Sequence, residues 1–177
     1  MTTIIATFLG IFSFGQSNYD VKKIFNDLRN MSFKISPDEL KLKLNDDKEV
    51  FAVFMETGYN KAALSLRCMG EGSISLYFTN GGGIIGIGEH SEARAEGLKL
   101  IKMANEYIKL AKLTTNNDLP KVGFTKFYLR TKSGIYVFED KEDNLGNKKS
   151  LFSPLFYQAQ NVITEARKID ESRNKEK

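Results

Sequence analysis

Three apolar runs separated by glycine-bearing turns constrain this chain most: Val50 to Glu56, Ala62 to Met69 and Ile74 to Thr79, joined through Gly58-Tyr59-Asn60 and Gly70-Glu71-Gly72. Connections this short join antiparallel neighbours, because a parallel pair needs a crossover of a dozen or more residues. The chain therefore holds a three-strand meander, and its other elements must extend that meander or pack on it. Phe124 to Arg130 and Ile135 to Glu139 form a further hairpin about Thr131-Lys132-Ser133-Gly134. Leu40, Leu42 and Leu44 alternate with Lys41 and Lys43, the period of a half-exposed strand.

Helical spacing appears in three places. Val21, Ile24, Phe25, Leu28 and Met31 recur every three or four residues behind Ser17 or Asn18 as N-cap, a stripe expected to face a core. A long helix is expected from about Ser91 to Leu113, with Gly97, Leu100, Ile101, Ala104, Ile108 and Ala111 on one face. Ser153-Pro154 reads as an N-cap followed by proline at the first helical position, opening a helix to about Lys168. Runs of strands with few helices between them give an α+β fold: one two-layer domain, a mostly antiparallel sheet of about five to seven strands, and about three helices, the long one packed on the sheet. At 177 residues the length fits one domain, residues 1–169, with a charged and frayed tail at 170–177.

The opening run Ile4 to Phe14 is shorter than the roughly 20 residues of a membrane span and has no Lys or Arg before it. It reads as a buried first strand, with secretion through an atypical N-terminal signal as the alternative. The lone Cys68 cannot form an internal disulfide and falls in an apolar run, so a buried thiol and a cytoplasmic location are expected.

Between the third strand and the long helix lies Gly81-Gly82-Gly83-Ile84-Ile85-Gly86-Ile87-Gly88-Glu89-His90. A glycine-rich passage from strand to helix can expose amides to a phosphate, but this one lacks the Gly-Lys-Ser/Thr of a Walker loop and the glycine order of a dinucleotide fold. Glu89, Glu92 and Glu96 would compete with an anion there. The competing reading is that the glycines permit a tight turn while Ile84, Ile85 and Ile87 plug the core. His90, the only histidine, is the one candidate for general acid or base work, and helix capping is its alternative role.

Residues 99–132 hold eight Lys or Arg against two acids, Glu106 and Asp118. Lys99, Lys102, Lys109 and Lys112 are expected to form a basic face, extended by Lys121, Lys126, Arg130 and Lys132. The aromatics nearby, Phe124, Phe127 and Tyr128, fit strand packing better than base stacking, which argues against nucleic acid as the partner. Asp140, Glu142 and Asn144 alternate as calcium ligands do, yet the twelfth residue from Asp140 is Leu151 and not the required glutamate. No metal or cofactor is expected, and no complete catalytic set is present. The expectation is a small, soluble, non-catalytic protein that binds another protein, as inhibitor- or immunity-type proteins do. Its recognition surface would be Gly81, Gly82, Gly83, Gly86, Gly88, Glu89 and His90, the basic face, or an exposed strand edge that could also join two copies as a homodimer. The alternative is a phosphate- or nucleotide-binding protein or enzyme using the same glycine passage.

Overall fold

The meander formed by the glycine turns lies at the middle of the sheet. In the computed structural model, which describes residues 19–175, β1 (Ala52–Gly58), β2 (Ala63–Met69) and β3 (Ile74–Phe78) run antiparallel in succession. The hairpin of β6 (Phe124–Thr131) and β7 (Gly134–Lys141) joins the other side of β1, setting Met55 opposite Phe127. Two short strands, β4 (Gly83–Ile84) beside β3 and β5 (Lys112–Thr114) beside β7, complete seven antiparallel strands in the order β4-β3-β2-β1-β6-β7-β5. Every residue of β1 and β2 is buried, which explains why apolar and polar residues do not alternate cleanly there: both faces of the central strands are covered.

On one face lie α2 (Ser91–Tyr107) and α4 (Ser153–Lys175). Leu100, Ala104, Val162 and Ile163 share a core with Val53, Met55, Leu66, Cys68, Phe127 and Leu129 from the strands. Burial pushes the Cys68 thiol up, so it stays protonated and inert. Gln158 of α4 ties the helices together by donating to the Glu96 carbonyl at 3.0 Å. Phe152 stacks on Phe138 of β7 at 3.5 Å between ring centres and closes this core from below. The result is a single α+β domain.

Several boundaries differ from the sequence reading. The long helix ends at Tyr107, and after one 3-10 turn at Ile108–Leu110 the chain becomes β5, with Leu113 opposite Tyr136. Strand pairing to β7 supplies hydrogen bonds that a continued helix would have made with itself, and Thr114 favours the extended form. The acidic stretch after β7 is not a plain loop, since it contains the short helix α3 (Glu142–Gly146), which buries Leu145 and carries Glu142 and Asp143 in its first turn. Leu40, Leu42 and Leu44 do pack inward, but Lys41 adopts a φ of 56° and no strand forms. The strand expected at Ile4 to Phe14, and the caps Ser17 and Asn18, lie outside the described residues.

The opposite face of the sheet is covered in part by α1 (Lys23–Lys34), and here the expected stripe is rotated. The buried residues are Phe25, Arg29 and Phe33, while Ile24 and Met31 stand 55% and 62% exposed. Apolar content alone selects Ile24-Leu28-Met31, but the sheet beneath presents the carboxylate of Glu56, and Arg29 on the inner face bonds both of its oxygens. Phe33 then fits edge-on against Phe54 and Tyr128, at 5.0 and 5.1 Å between ring centres.

Arg130 of β6 fastens the end of α1. Its guanidinium donates to the carbonyls of Ser32 at 3.0 Å, Phe33 at 2.5 Å and Ile35 at 3.0 Å, acceptors that a helix C-terminus leaves without partners. Arg130→Met is therefore expected to lower stability by about 1–2 kcal/mol and to speed amide hydrogen exchange selectively in the last turn of α1. Exchange unchanged in that turn would show that the arginine contributes nothing to holding it.

Candidate functional site

The glycine passage leaves the end of β3, makes the two-residue strand β4, and crosses a 3-10 turn at Ile87–Glu89 before α2 begins. Gly86 holds the left-handed conformation at a φ of 71° that starts this turn. Gly88 is pressed so closely on the β2–β3 hairpin that a Cβ there would lie 1.9 Å from the Gly72 carbonyl oxygen. The three isoleucines part company: Ile87 is fully buried, Ile84 packs at the margin of the core, and Ile85 turns outward, 66% exposed.

Four amides of the passage are already taken by nearby acceptors. Gly81 donates to the Phe78 carbonyl, Gly82 to the Asn80 side-chain oxygen, Glu89 to the Gly86 carbonyl and His90 to the Ile87 carbonyl. His90 stands exposed at the N-cap of α2, where its side chain makes no capping hydrogen bond and its carbonyl accepts from the Arg94 amide. Ser91 donates to Glu92 at 2.7 Å, and this bond holds the Glu92 carboxyl below the usual carboxylate range at the positive end of the helix.

What the passage does build is one wall of a groove of about 490 Å³. Ile85, Gly86, Gly88 and Glu89 stand on one side, and Met31 and Ser32 of α1 with Ile35 and Leu40 from the chain that follows it on the other. Ser75 and Tyr77 of β3 and Met69 of β2 line it from the sheet. Glu71 and Gly72, from the β2–β3 turn, and Arg94 of α2 close one end. Thus Gly86, Gly88 and Glu89 meet at this groove, while Gly81, Gly82, Gly83 and His90 are not among its lining residues.

Beside the groove lies a buried ionic cluster that joins α1 to the sheet. Glu56, wholly inaccessible, accepts from Arg29 Nε and Nη2 at 2.8 Å each, from Arg67 Nη2 at 2.6 Å and from Ser65 Oγ at 3.1 Å. Burial alone would raise the Glu56 carboxyl, but Arg67 and Arg29 outweigh it and hold the group below the usual carboxylate range. Burial pushes the Arg67 guanidinium down to about 10, so it remains a cation at neutral pH. Its Nε and Nη1 have no hydrogen-bond partner among the described residues, and the ring of Phe54, 4.2 Å from the guanidinium carbon, offers partial compensation.

The lysines do not gather as a single extended surface. Lys99, Lys102 and Lys109 are exposed along α2 and the turn after it, and Lys112 lies on β5. Lys126 and Arg130 project from the other face of the sheet, since the residues between them, Phe127 and Leu129, point into the α2 core. Lys126 donates to the Asp118 carbonyl, and Arg130 is committed to α1. No group of three or more potential metal ligands occurs among the described residues. Among them, too, no helix is long and apolar enough to cross a membrane.

No family model, curated protein or solved structure matches the chain. The groove's own geometry therefore carries the functional reading.

Sequence pattern alone missed Met31 and the turn residue Glu71 as members of the groove, and it missed the cluster Arg29-Glu56-Arg67. A signal for the cluster was present. Charged residues inside the two most apolar strands, Glu56 and Arg67, require partners, and Arg29 shares a helical face with Phe25 and Phe33 at four-residue spacing.

Proposed function

We propose that this protein is a non-catalytic binding module that takes a segment of another protein into the groove between α1, β3 and the Gly86–Glu89 turn. The observation that carries this reading is the apolar row left open along α1. Ile24 and Met31 are more than half exposed, Leu28 between them is partly buried, and the row runs into the groove, where Ile85 faces solvent from the opposite wall. Large side chains left exposed together beside a concave surface are characteristic of a recognition site, since isolated exposure would scatter them. An inhibitor- or immunity-type protein works through a surface of this kind. The phosphate alternative draws less support, because Glu89 stands in the groove wall and the Glu89 and His90 amides are bonded to the Gly86 and Ile87 carbonyls.

Panning a phage-displayed library of short random peptides against the immobilised full chain tests the proposal. Peptides rich in large apolar residues are expected, and the double variant M31D/I85D should weaken their binding by about thirtyfold or more. Both sites are exposed, so folding should change by no more than about 0.5 kcal/mol each. Selected peptides that bind the double variant as tightly as the parent chain would remove the groove from consideration.

A further inference from the structure

The sequence holds an apolar segment for which the described fold supplies an open surface. Seven of the eleven residues from Ile4 to Phe14 are Ile, Leu or Phe, and no charged side chain occurs before Asp20. That run lies outside the described residues, but the point from which it is tethered does not. The Lys22 amide donates to the Thr79 carbonyl at 2.8 Å, just past the end of β3. The Lys22 stem lies against Gly81, its Cγ 3.2 Å from where a Cβ on that glycine would stand. The run is therefore tied to the fold beside β3, whose Ser75 and Tyr77 line the groove, and next to α1, whose Ile24, Leu28 and Met31 lead into it. Charge favours an uncharged occupant as well. Glu71 and Glu89 in the wall are matched by Arg94, which lines it, and by Arg173, which donates to the Ile85 carbonyl at 3.2 Å.

We infer that the first occupant of the groove is this chain's own run Ile4 to Phe14, laid along the open row of α1, and that a partner segment enters by displacing it. The inference takes the groove as the reading above does and names what fills it before a partner arrives. The lengths permit it. Gly15 to Asn18 span about 13 Å when extended, and α1 is about 18 Å long. Even as a helix the run covers about 16 Å, and more when extended, so it reaches from Ile24 to Met31 and Ile85. Docking it removes large apolar side chains from water on both surfaces and desolvates no charge of its own. The tether adds to this, because a short linker holds the run at a roughly millimolar effective concentration that a free segment must outcompete.

Limited digestion of the full chain with chymotrypsin, read by mass spectrometry, tests the docking itself, since the enzyme cuts after Phe8, Leu9, Phe12 and Phe14 only when the run is off the surface. M31D/I85D should speed these cuts by about tenfold or more, with the urea midpoint unchanged as the check that the domain stays folded. I5D/F8D/F12D, which puts charge into the run, should tighten a labelled peptide from the panning by about tenfold or more, because the site no longer has to be vacated. Cleavage of the run at the same rate in the parent chain and in M31D/I85D would overturn the inference. Peptide affinity unchanged in I5D/F8D/F12D but lost in M31D/I85D would also overturn it while leaving the groove reading in place. Peptides that bind neither the parent chain nor I5D/F8D/F12D, with cleavage of the run still faster in M31D/I85D, would instead remove the partner and support the run as occupant. Resistance to cleavage that rises with protein concentration would place the run on a second copy, and a chain purified from its source without the run would leave the groove no such occupant; either overturns the inference.

Discussion

Glu56→Ala is expected to lower the unfolding free energy by about 3–5 kcal/mol, a large share of the roughly 5–15 kcal/mol typical of a domain. The loss arises because the substitution leaves Arg29 and Arg67 as two cations in a site that is closed to water and holds no other acid bonded to them. Neither can move out cheaply: Arg67 lies over Phe54 in a fully buried strand, and Arg29 is fixed by the helix that Phe33 anchors. Replacing all three charges with apolar residues of similar volume, as R29M/E56L/R67M, should cost far less than removing Glu56 alone, because the desolvation of three charges disappears with their attraction. Urea denaturation of the two variants beside the parent chain distinguishes these outcomes. A triple variant as unstable as Glu56→Ala would show that the cluster contributes net stability beyond satisfying itself. The same carboxylate sets an acid limit. Its folded pKa lies below the unfolded value of about 4.5, so its contribution is present in full above that value and is lost as the pH falls through the folded one. The urea midpoint of the parent chain should therefore drop steeply below pH 4.5, and that of the triple variant less so.

How far the sequence could be read depended on the range of the interaction that decided each element. The meander was legible because Gly58-Tyr59-Asn60 and Gly70-Glu71-Gly72 leave room only for antiparallel turns, a local constraint. The inner face of α2 was legible for a similar reason: Gly97, Leu100, Ile101 and Ala104 repeat at helical spacing with no competing stripe. The phase of α1 was not, because two stripes compete and the choice is made by Glu56, far away in sequence and invisible to a helical wheel. Lys112 and Leu113 fit the helix pattern equally well, and pairing to Ile135–Val137 removed them from it. The glycine passage was legible as a strand-to-helix connection, but not as one wall of a groove. Its residues matter less for bare amides than for bringing Ile85 and Glu89 opposite Met31, a meeting of segments more than fifty residues apart that no local motif records.

Gly88→Val carries the other large expected effect, a loss of more than about 3 kcal/mol, beyond the usual cost of overpacking. A Cβ at Gly88 would lie 1.9 Å from the Gly72 carbonyl oxygen, 3.0 Å from its carbon and 3.1 Å from the Ile74 nitrogen. All three are backbone atoms, so no side chain can swing aside, and the turn must lift off the β2–β3 hairpin. Lifting it also withdraws the buried Ile87 from the core and opens the margin of β3 at the start of that strand, since β4 pairs only with Leu76 and Tyr77. Gly82→Ala is the matching control, because the nearest atoms to a Cβ there are 3.8 and 3.9 Å away. It should leave the urea midpoint and peptide affinity unchanged, whereas Gly88→Val should lower the midpoint and weaken binding even in the fraction that remains folded. A folded Gly88→Val chain with an unchanged midpoint would mean that the hairpin yields easily. Loss of peptide binding in Gly82→Ala without loss of stability would point the other way, to the exposed glycines themselves as the recognition surface. The contrast between two glycines six residues apart thus separates a passage that seals a sheet edge and frames a groove from one that binds through its own backbone.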